Sequence, residues 1–322
     1  MRYVDVGGAR LSAIGLGTWQ FGSREWGYGD EYAEQTAIDI TRRALDLGIN
    51  LIDTAEIYAF GKSERIVGRA IAGRRDDAFL ATKVFPVMPL SSIVQQRGVA
   101  SADRLGVEMI DLYQVHWPNP VVPLGQTMAG MGRLQRTGIV KHVGVSNFSL
   151  GRWQEAEKEL GGPVLTNQVQ YSLVTRKPDR DLVPWAQEND RVVIAYSPLA
   201  QGFLSAKYDG TNNPGGVRSG NSLFLPQNIE RAQPLFTALK EIAVSHSATP
   251  AQVALAWVLR RKNVVAIPGA SSVAQLESNA AAADLDLTDD DDQRLTAASD
   301  RFEPVTGIPA YARILKGRIP GF

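Results

Sequence analysis

The chain contains no cysteine. That absence excludes disulfides, thiolate catalysis and cysteine-ligated metal centres, and it suits a reducing compartment. Net charge is missing too: Lys+Arg and Asp+Glu each number 34, so composition offers nothing to attract nucleic acid or an acidic membrane. No apolar run approaches the length of a membrane span, and Met1–Gly17 lacks the apolar core of a signal peptide. Neither a carboxylate pair nor a cluster of metal-ligating side chains stands out, so no metal is expected. What remains is the expectation of a soluble, cytoplasmic protein with 44% hydrophobic residues, ample for a full-sized core.

Six short apolar segments each carry, at or beside their end, a side chain able to do chemistry. They are NLIDT with Asp53, FLATK with Lys83, MIDLYQVH with His116, HVGVSN with Ser146 and Asn147, TNQVQ with Gln168, and VVIAYS with Tyr196. A seventh, VVAIPG, runs into a Gly-Ala-Ser-Ser turn. Patterns of helical period separate most of them. Ala37, Ile40, Ala44 and Leu47 form one apolar face behind a cap at Asp30, and Ile66, Val67, Ala70 and Ile71 form another behind Ser63. Thr249 and Gln252 have capping-box spacing, with Pro250 in the first turn. Alternating strands and helices, with reactive residues at the carboxyl ends of several strands, predict an α/β fold of the (β/α)8 TIM barrel type.

Two segments lie outside that rhythm. Met1–Ala13 reads as a β-hairpin turning at Gly7–Gly8, a plug rather than one of the eight strands. From Gly202 to about Gln233 the chain is rich in Gly, Asn, Ser and Pro, which predicts a long loop after the seventh barrel strand. Such a loop is placed to fold over whatever binds at that end. No repeat and no linker is visible, so residues 1–322 read as a single barrel domain.

The strand ends suggest acid–base chemistry on a carbonyl. A tyrosine is a poor acid at neutral pH, its ordinary pKa being about 10. A neighbouring ammonium would lower that value, and a carboxylate would hold the ammonium in place. Consecutive strands deliver these groups: Asp53, then Tyr58 in the following loop, Lys83, and His116, which could orient a substrate oxygen that Tyr58 protonates. Singly, each is more often an ion pair or packing; together, at one end of neighbouring strands, they point to a site.

GLGTWQFG, NLIDTAEIYAFGKSERIVGRAI, MIDLYQVHWP, GVSNF and IAYSPLAQGFLSAKY together resemble the aldo-keto reductase family, from about Val6 to about Leu287. The resemblance implies a barrel enzyme that reduces aldehydes or ketones, or oxidises alcohols or sugars, with a nicotinamide cofactor and a small-molecule substrate. It puts a catalytic tetrad on Asp53, Tyr58, Lys83 and His116. It puts the nicotinamide carboxamide on Ser146, Asn147 and Gln168, and the nicotinamide ring on Tyr196. It gives the pyrophosphate to Ser197, Leu199, Gln201 and Gly202, and the adenosine end to Gly269, Ser271, Ser272, Gln275 and Asn279. NADP(H) is the cofactor the resemblance favours and NAD(H) the alternative, because no Lys or Arg lies between Ile267 and Asn279 to meet a 2′-phosphate. Arg218, in the long loop, could supply that charge. Trp19, Phe85 and Trp117, with Trp26, Tyr28 and Phe148, would line an aromatic substrate bowl. An alternative of another class is a cofactor-binding regulatory subunit with little turnover, since some family members serve as partners of channels.

Overall fold

The computed structural model describes residues 1–24, 27–29, 33–208, 212 and 214–307. Trp26 and the expected cap Asp30 lie outside them. The chain opens with strands β1 (Tyr3–Val6) and β2 (Ala9–Ser12), an antiparallel hairpin. Both turn residues, Gly7 and Gly8, have positive φ, which glycine adopts without steric cost. Eight parallel strands follow, neighbours in chain order: β3 (Leu16–Gly17), β4 (Leu51–Asp53), β5 (Phe79–Val84), β6 (Ile110–Val115), β7 (Val140–Ser146), β8 (Thr166–Gln170), β9 (Val192–Tyr196) and β10 (Val264–Ala266). The first and last meet. Gly15 N donates to the Ala266 carbonyl at 2.8 Å and Ala266 N to the Ala13 carbonyl at 2.9 Å, with a further bridge between Gly17 and Gly269. At this seam a Cβ on Gly17 would lie 2.7 Å from the Ile267 carbonyl oxygen, so closure depends on the missing side chain.

Helices α1 (Glu34–Asp46), α2 (Lys62–Ile71), α3 (Ser91–Leu105), α4 (Leu124–Arg136), α5 (Leu150–Leu160), α6 (Leu182–Glu188), α7 (Pro226–Arg231), α8 (Gln233–Ser245), α9 (Pro250–Leu259), α10 (Val273–Ala281) and α11 (Asp289–Asp300) complete the order. Their apolar faces, Ile40, Ile66, Met128, Trp153 and Trp257 among them, join the outward residues of the strands in one large core. A second core fills the barrel itself: Leu51, Phe79, Leu112, Val192, Ile194 and Val265, sealed by Val6 and Leu11 of the hairpin. The hairpin is therefore the expected plug. Because side chains alternate along a strand, the column that begins with Leu51 ends at Asp53, that of Phe79 at Lys83, and that of Leu112 at Gln114 and His116. In these three strands the inward face starts apolar and finishes polar, which puts the reactive groups at the end away from the plug.

Two local readings need correction. Ser63 does not cap α2; it lies inside the helix, behind Gly61 at φ 78°. Its hydroxyl is buried between those of Thr18 and Thr54, at 2.9 and 3.0 Å, tying the first turn of α2 to two strand ends. The Gly- and Pro-rich stretch after β9 is not all loop: it holds short 3₁₀ turns at Ala200–Ser205, Gly216–Gly220 and Ser222–Phe224 and then α7, with Pro226 in its first turn. It folds back on its own first turn, where Arg218 Nε donates to the Gln201 carbonyl at 3.2 Å and Asn221 Nδ2 to Gln201 Oε1 at 3.0 Å. The box at Thr249 and Gln252 forms as expected. Among the described residues no single helix is long and apolar enough to cross a membrane.

Candidate active site

Asp53 closes β4 and Lys83 stands one residue from the end of β5; neither side chain reaches solvent. Lys83 Nζ donates to Asp53 Oδ1 at 2.6 Å, to the Thr54 carbonyl at 2.8 Å and to Tyr58 Oη at 3.4 Å. Three acceptors of one ammonium thus come from one strand end and the loop after it. Tyr58 rides at the start of a tight turn, Tyr58–Gly61, in which Ala59 and Phe60 take positive φ. His116 follows β6, its ring edge-on to that of Tyr58 with 5.8 Å between centroids. The four residues singled out in the sequence converge at one rim.

Burial sets their protonation. It pushes the Asp53 carboxyl up, against Lys83 and the amides of Gln168 and Gln114. It disfavours the Lys83 ammonium, but Asp53 and Tyr58 more than compensate and Lys83 stands above the ordinary lysine value. We read the pair as ionised at neutral pH. The phenol departs from expectation: burial outweighs the pull of Lys83, Asp53 adds to it, and Tyr58 lies above the ordinary tyrosine value rather than below it. Burial, helped by the charge of Lys83, drops the imidazole of His116 to about 2, so this side chain is neutral and carries one N–H. Its Nδ1 is buried with no hydrogen-bond partner among the described residues.

The polar residues of the next strands are bonded to this group and to one another. Gln168 Nε2 donates to Asp53 Oδ2 at 2.7 Å, and Ser146 Oγ to the Gln168 carbonyl at 2.8 Å. Asn147, at φ 62°, donates from Nδ2 to Ser146 Oγ at 3.0 Å and to the His116 carbonyl at 3.1 Å, and accepts from Tyr196 Oη at 3.0 Å. Ser197, Ala200, Gln201 and Gly202 all have positive φ, and this irregular loop leaves β9 beside the same rim. Farther round, Ser272 caps α10 by accepting from Gln275 N at 3.2 Å. The reciprocal bond expected of a capping box lands one residue early, with Gln275 Oε1 accepting from Ser271 N at 2.9 Å. Asn279 Nδ2 donates to the Gly269 carbonyl at 3.3 Å, and a Cβ on Gly269 would lie 2.8 Å from Gln20 Oε1. These neutral hydroxyls and amides, with the half-buried Tyr196 at the end of β9, are donor chemistry that suits a carboxamide and a phosphate-bearing nucleotide.

Of the aromatic residues, Phe85 and Trp117 are brought to the site. The Trp117 ring stacks on His116 at 3.9 Å, and Phe85 meets both edge-on. Trp117 and Trp19 are 42% and 47% exposed, open to the rim. Phe148 belongs to the outer core instead, 2% exposed, because β7 has already turned away at Asn147. Tyr28 is buried under Lys62, whose Nζ lies 4.5 Å from its ring centroid.

Two carboxylates that fasten this rim carry no signal in the residue pattern. Glu56 accepts from Phe85 N and pairs with Arg97 at 2.6 Å, holding the Tyr58 loop against the loop after β5. Glu64 is fully buried and takes Thr82 Oγ1 at 2.7 Å and Arg104 Nε at 2.5 Å. Arg104→Ala should leave that carboxylate with only the hydroxyls of Thr82 and Ser101 and cost about 3 kcal/mol. The check is the urea midpoint, which should fall without a change in slope.

Residues 13–300 match the model of the aldo/keto reductase family. The chain belongs to that family. It is 54% identical over 307 residues to an uncharacterized oxidoreductase of Mycobacterium tuberculosis, covering 95% of each chain. A methylglyoxal reductase of Escherichia coli is 36% identical, covering 88% of this chain and 89% of its own. An NADH-specific methylglyoxal reductase of the same organism is 31% identical, covering 87% of this chain and 92% of its own. Among solved structures, an aldo-keto reductase of Klebsiella pneumoniae in complex with NADPH superposes with a TM-score of 0.75 at 31% identity, over 95% of this chain and 96% of that one. This aldo/keto reductase thus shares its barrel with a solved relative that holds a nicotinamide nucleotide.

Proposed function

We propose that the chain reduces aldehydes or ketones reversibly with a nicotinamide cofactor, Tyr58 acting as general acid. The observation that carries this reading is Lys83 Nζ, held 2.6 Å from Asp53 and 3.4 Å from Tyr58 Oη beside a neutral imidazole. A bound reduced nicotinamide supplies hydride from its C4. His116 donates its N–H to the carbonyl oxygen and fixes the approach of the substrate. Tyr58 gives its proton to the same oxygen as negative charge develops there, and the Lys83 ammonium stabilises the phenolate left behind. Asp53 keeps that ammonium in place. Ser146, Asn147 and Gln168 would hold the carboxamide, Tyr196 would pack on the ring, and the loop from Ser197 to Gly202 would hold the pyrophosphate. Trp19, Phe85 and Trp117 would cover the organic part of the substrate.

The direct test is the purified chain with an aromatic aldehyde or methylglyoxal and either reduced cofactor. Absorbance of the reduced nicotinamide should fall only when both are present. Tight cofactor binding without any fall would contradict the reading. NADP(H) is our favoured cofactor and NAD(H) the alternative. Ser271, Ser272 and Gln275 offer a 2′-phosphate only neutral hydrogen bonds, each worth about 1 kcal/mol. Three such bonds sum to about 3 kcal/mol, so the Kd for NADPH should be lower than that for NADH by no more than about 150-fold. Fluorescence titration measures both, and a lower Kd for NADH would reassign the cofactor.

The raised phenol also fixes the pH dependence. Reduction needs Tyr58 protonated, so kcat/KM should be level through neutral pH and fall only as pH rises through the raised value. Oxidation needs the phenolate and should climb about tenfold per pH unit below that value. Profiles measured in both directions check this; a fall in reduction between neutral pH and the ordinary tyrosine range would contradict it.

A further inference from the structure

One inward side chain of the barrel has no part in the roles assigned above. Gln114 lies in the apolar run of β6, directly opposite Lys83 of β5 on one side and Gly144 of β7 on the other. It is completely buried. Its Nε2 points to Asp53 Oδ2 at 3.4 Å, and its Oε1 accepts from Thr166 Oγ1 of β8 at 3.2 Å. The carboxylate decides which end of the amide faces it: ionised Asp53 only accepts, so it meets the N–H, and the amide oxygen is left to accept from Thr166. Space for this contact exists because β7 carries no side chain there. A Cβ on Gly144 would lie 2.2 Å from Thr166 Oγ1 and 2.9 Å from Gln114 Cγ.

We propose that Gln114, oriented by Thr166, is a positioning residue that holds the second oxygen of Asp53 so that its first oxygen stays on Lys83. The proposal rests on the tetrad reading above. The shorter bond to Asp53 Oδ2 comes from Gln168, but that amide is also the one assigned to the cofactor. Gln114 has no second duty, so it serves the carboxylate in every state of the site. The titratable groups facing Asp53 are Lys83 from β5 and, beyond it, Tyr58; β6 and β8 present only the neutral amides. Loss of an amide donor makes the carboxylate more basic, draws the Lys83 charge toward Asp53 and weakens its hold on the Tyr58 phenolate.

Gln114→Met should therefore move the alkaline limb of alcohol oxidation up by about half a pH unit and lower kcat of reduction about three- to tenfold. The cofactor Kd, read by fluorescence, should stay within about twofold, because Gln114 bonds Asp53 and Thr166 and none of the residues assigned to the cofactor. Thr166→Val should shift the limb the same way, and Thr166→Ser, which restores the hydroxyl, should return it to the wild-type position. These two variants keep the test alive should Gln114→Met fold poorly. Limbs that superpose on wild type, with only a lower melting temperature, would overturn the proposal and leave Gln114 a packing residue. Absence of turnover in the wild-type chain would instead overturn the reading on which it rests.

Discussion

Tyr58→Phe is expected to lower kcat of carbonyl reduction by about 10³-fold, within the range of 10² to 10⁴ that a positioned general acid supplies. The substitution removes one oxygen and leaves the ring. Its edge-on contact with His116 survives, as do the bonds of Lys83 to Asp53 and Thr54. The residues assigned to the cofactor bond each other and Asp53, and none of them bonds the phenol. Cofactor Kd should therefore change by less than about twofold, since no hydrogen bond to the nucleotide is removed. Steady-state kinetics together with a fluorescence titration separate the two quantities. A large loss of cofactor binding in Tyr58→Phe would mean that this side chain has been given the wrong task.

Lys83→Met should act on activity and stability together. Without the ammonium, the phenolate formed at Tyr58 has no cation beside it and turnover should fall at least as far as in Tyr58→Phe. The fold suffers too, because Asp53 is left with neutral amides in a site closed to water. Breaking one side of a buried ion pair costs about 3–5 kcal/mol, which a denaturant midpoint reads directly. The double variant Asp53→Asn with Lys83→Met removes the stranded charge as well. It should regain most of the lost stability while remaining inactive. If the double variant were no more stable than Lys83→Met alone, Asp53 would not be ionised in the folded protein.

Much of this geometry could be read from residue order, because a barrel strand repeats every two residues and the pattern is written in the sequence. Leu51 to Asp53, and Phe79 to Lys83, show an inward face turning polar at its end, which brings Asp53 and Lys83 to one rim; Tyr58 stands in the turn after β4, and that alternation does not give it. Thr249 and Gln252 formed the expected box because capping is a local matter. Ser63 misled for the opposite reason: it has the look of a cap, but its hydroxyl is used across the chain by Thr18, 45 residues away. Gln114 was invisible for a similar cause. One amide in IDLYQV looks like an interruption of a strand, and only the register with Lys83 and Gly144 reveals what it faces. The level of the Tyr58 phenol is not legible in a motif, which displays neighbouring charges but not depth; here burial outweighs the ammonium. Phe148 reads as a rim residue from its place just past a strand, whereas the turn at Asn147 sends it into the core.

Hydride transfer to a carbonyl carbon, with Tyr58 as proton donor, is what the proposed reaction requires. An aldehyde reduced with cofactor deuterated at the transferring C4 position, followed by mass analysis of the alcohol, reads it. One deuterium fixed on the former carbonyl carbon, with the hydroxyl hydrogen drawn from solvent, is the predicted result in the wild-type chain, and Tyr58→Phe should make the same product about 10³-fold more slowly. Unlabelled alcohol, or label lost to water, would contradict the account.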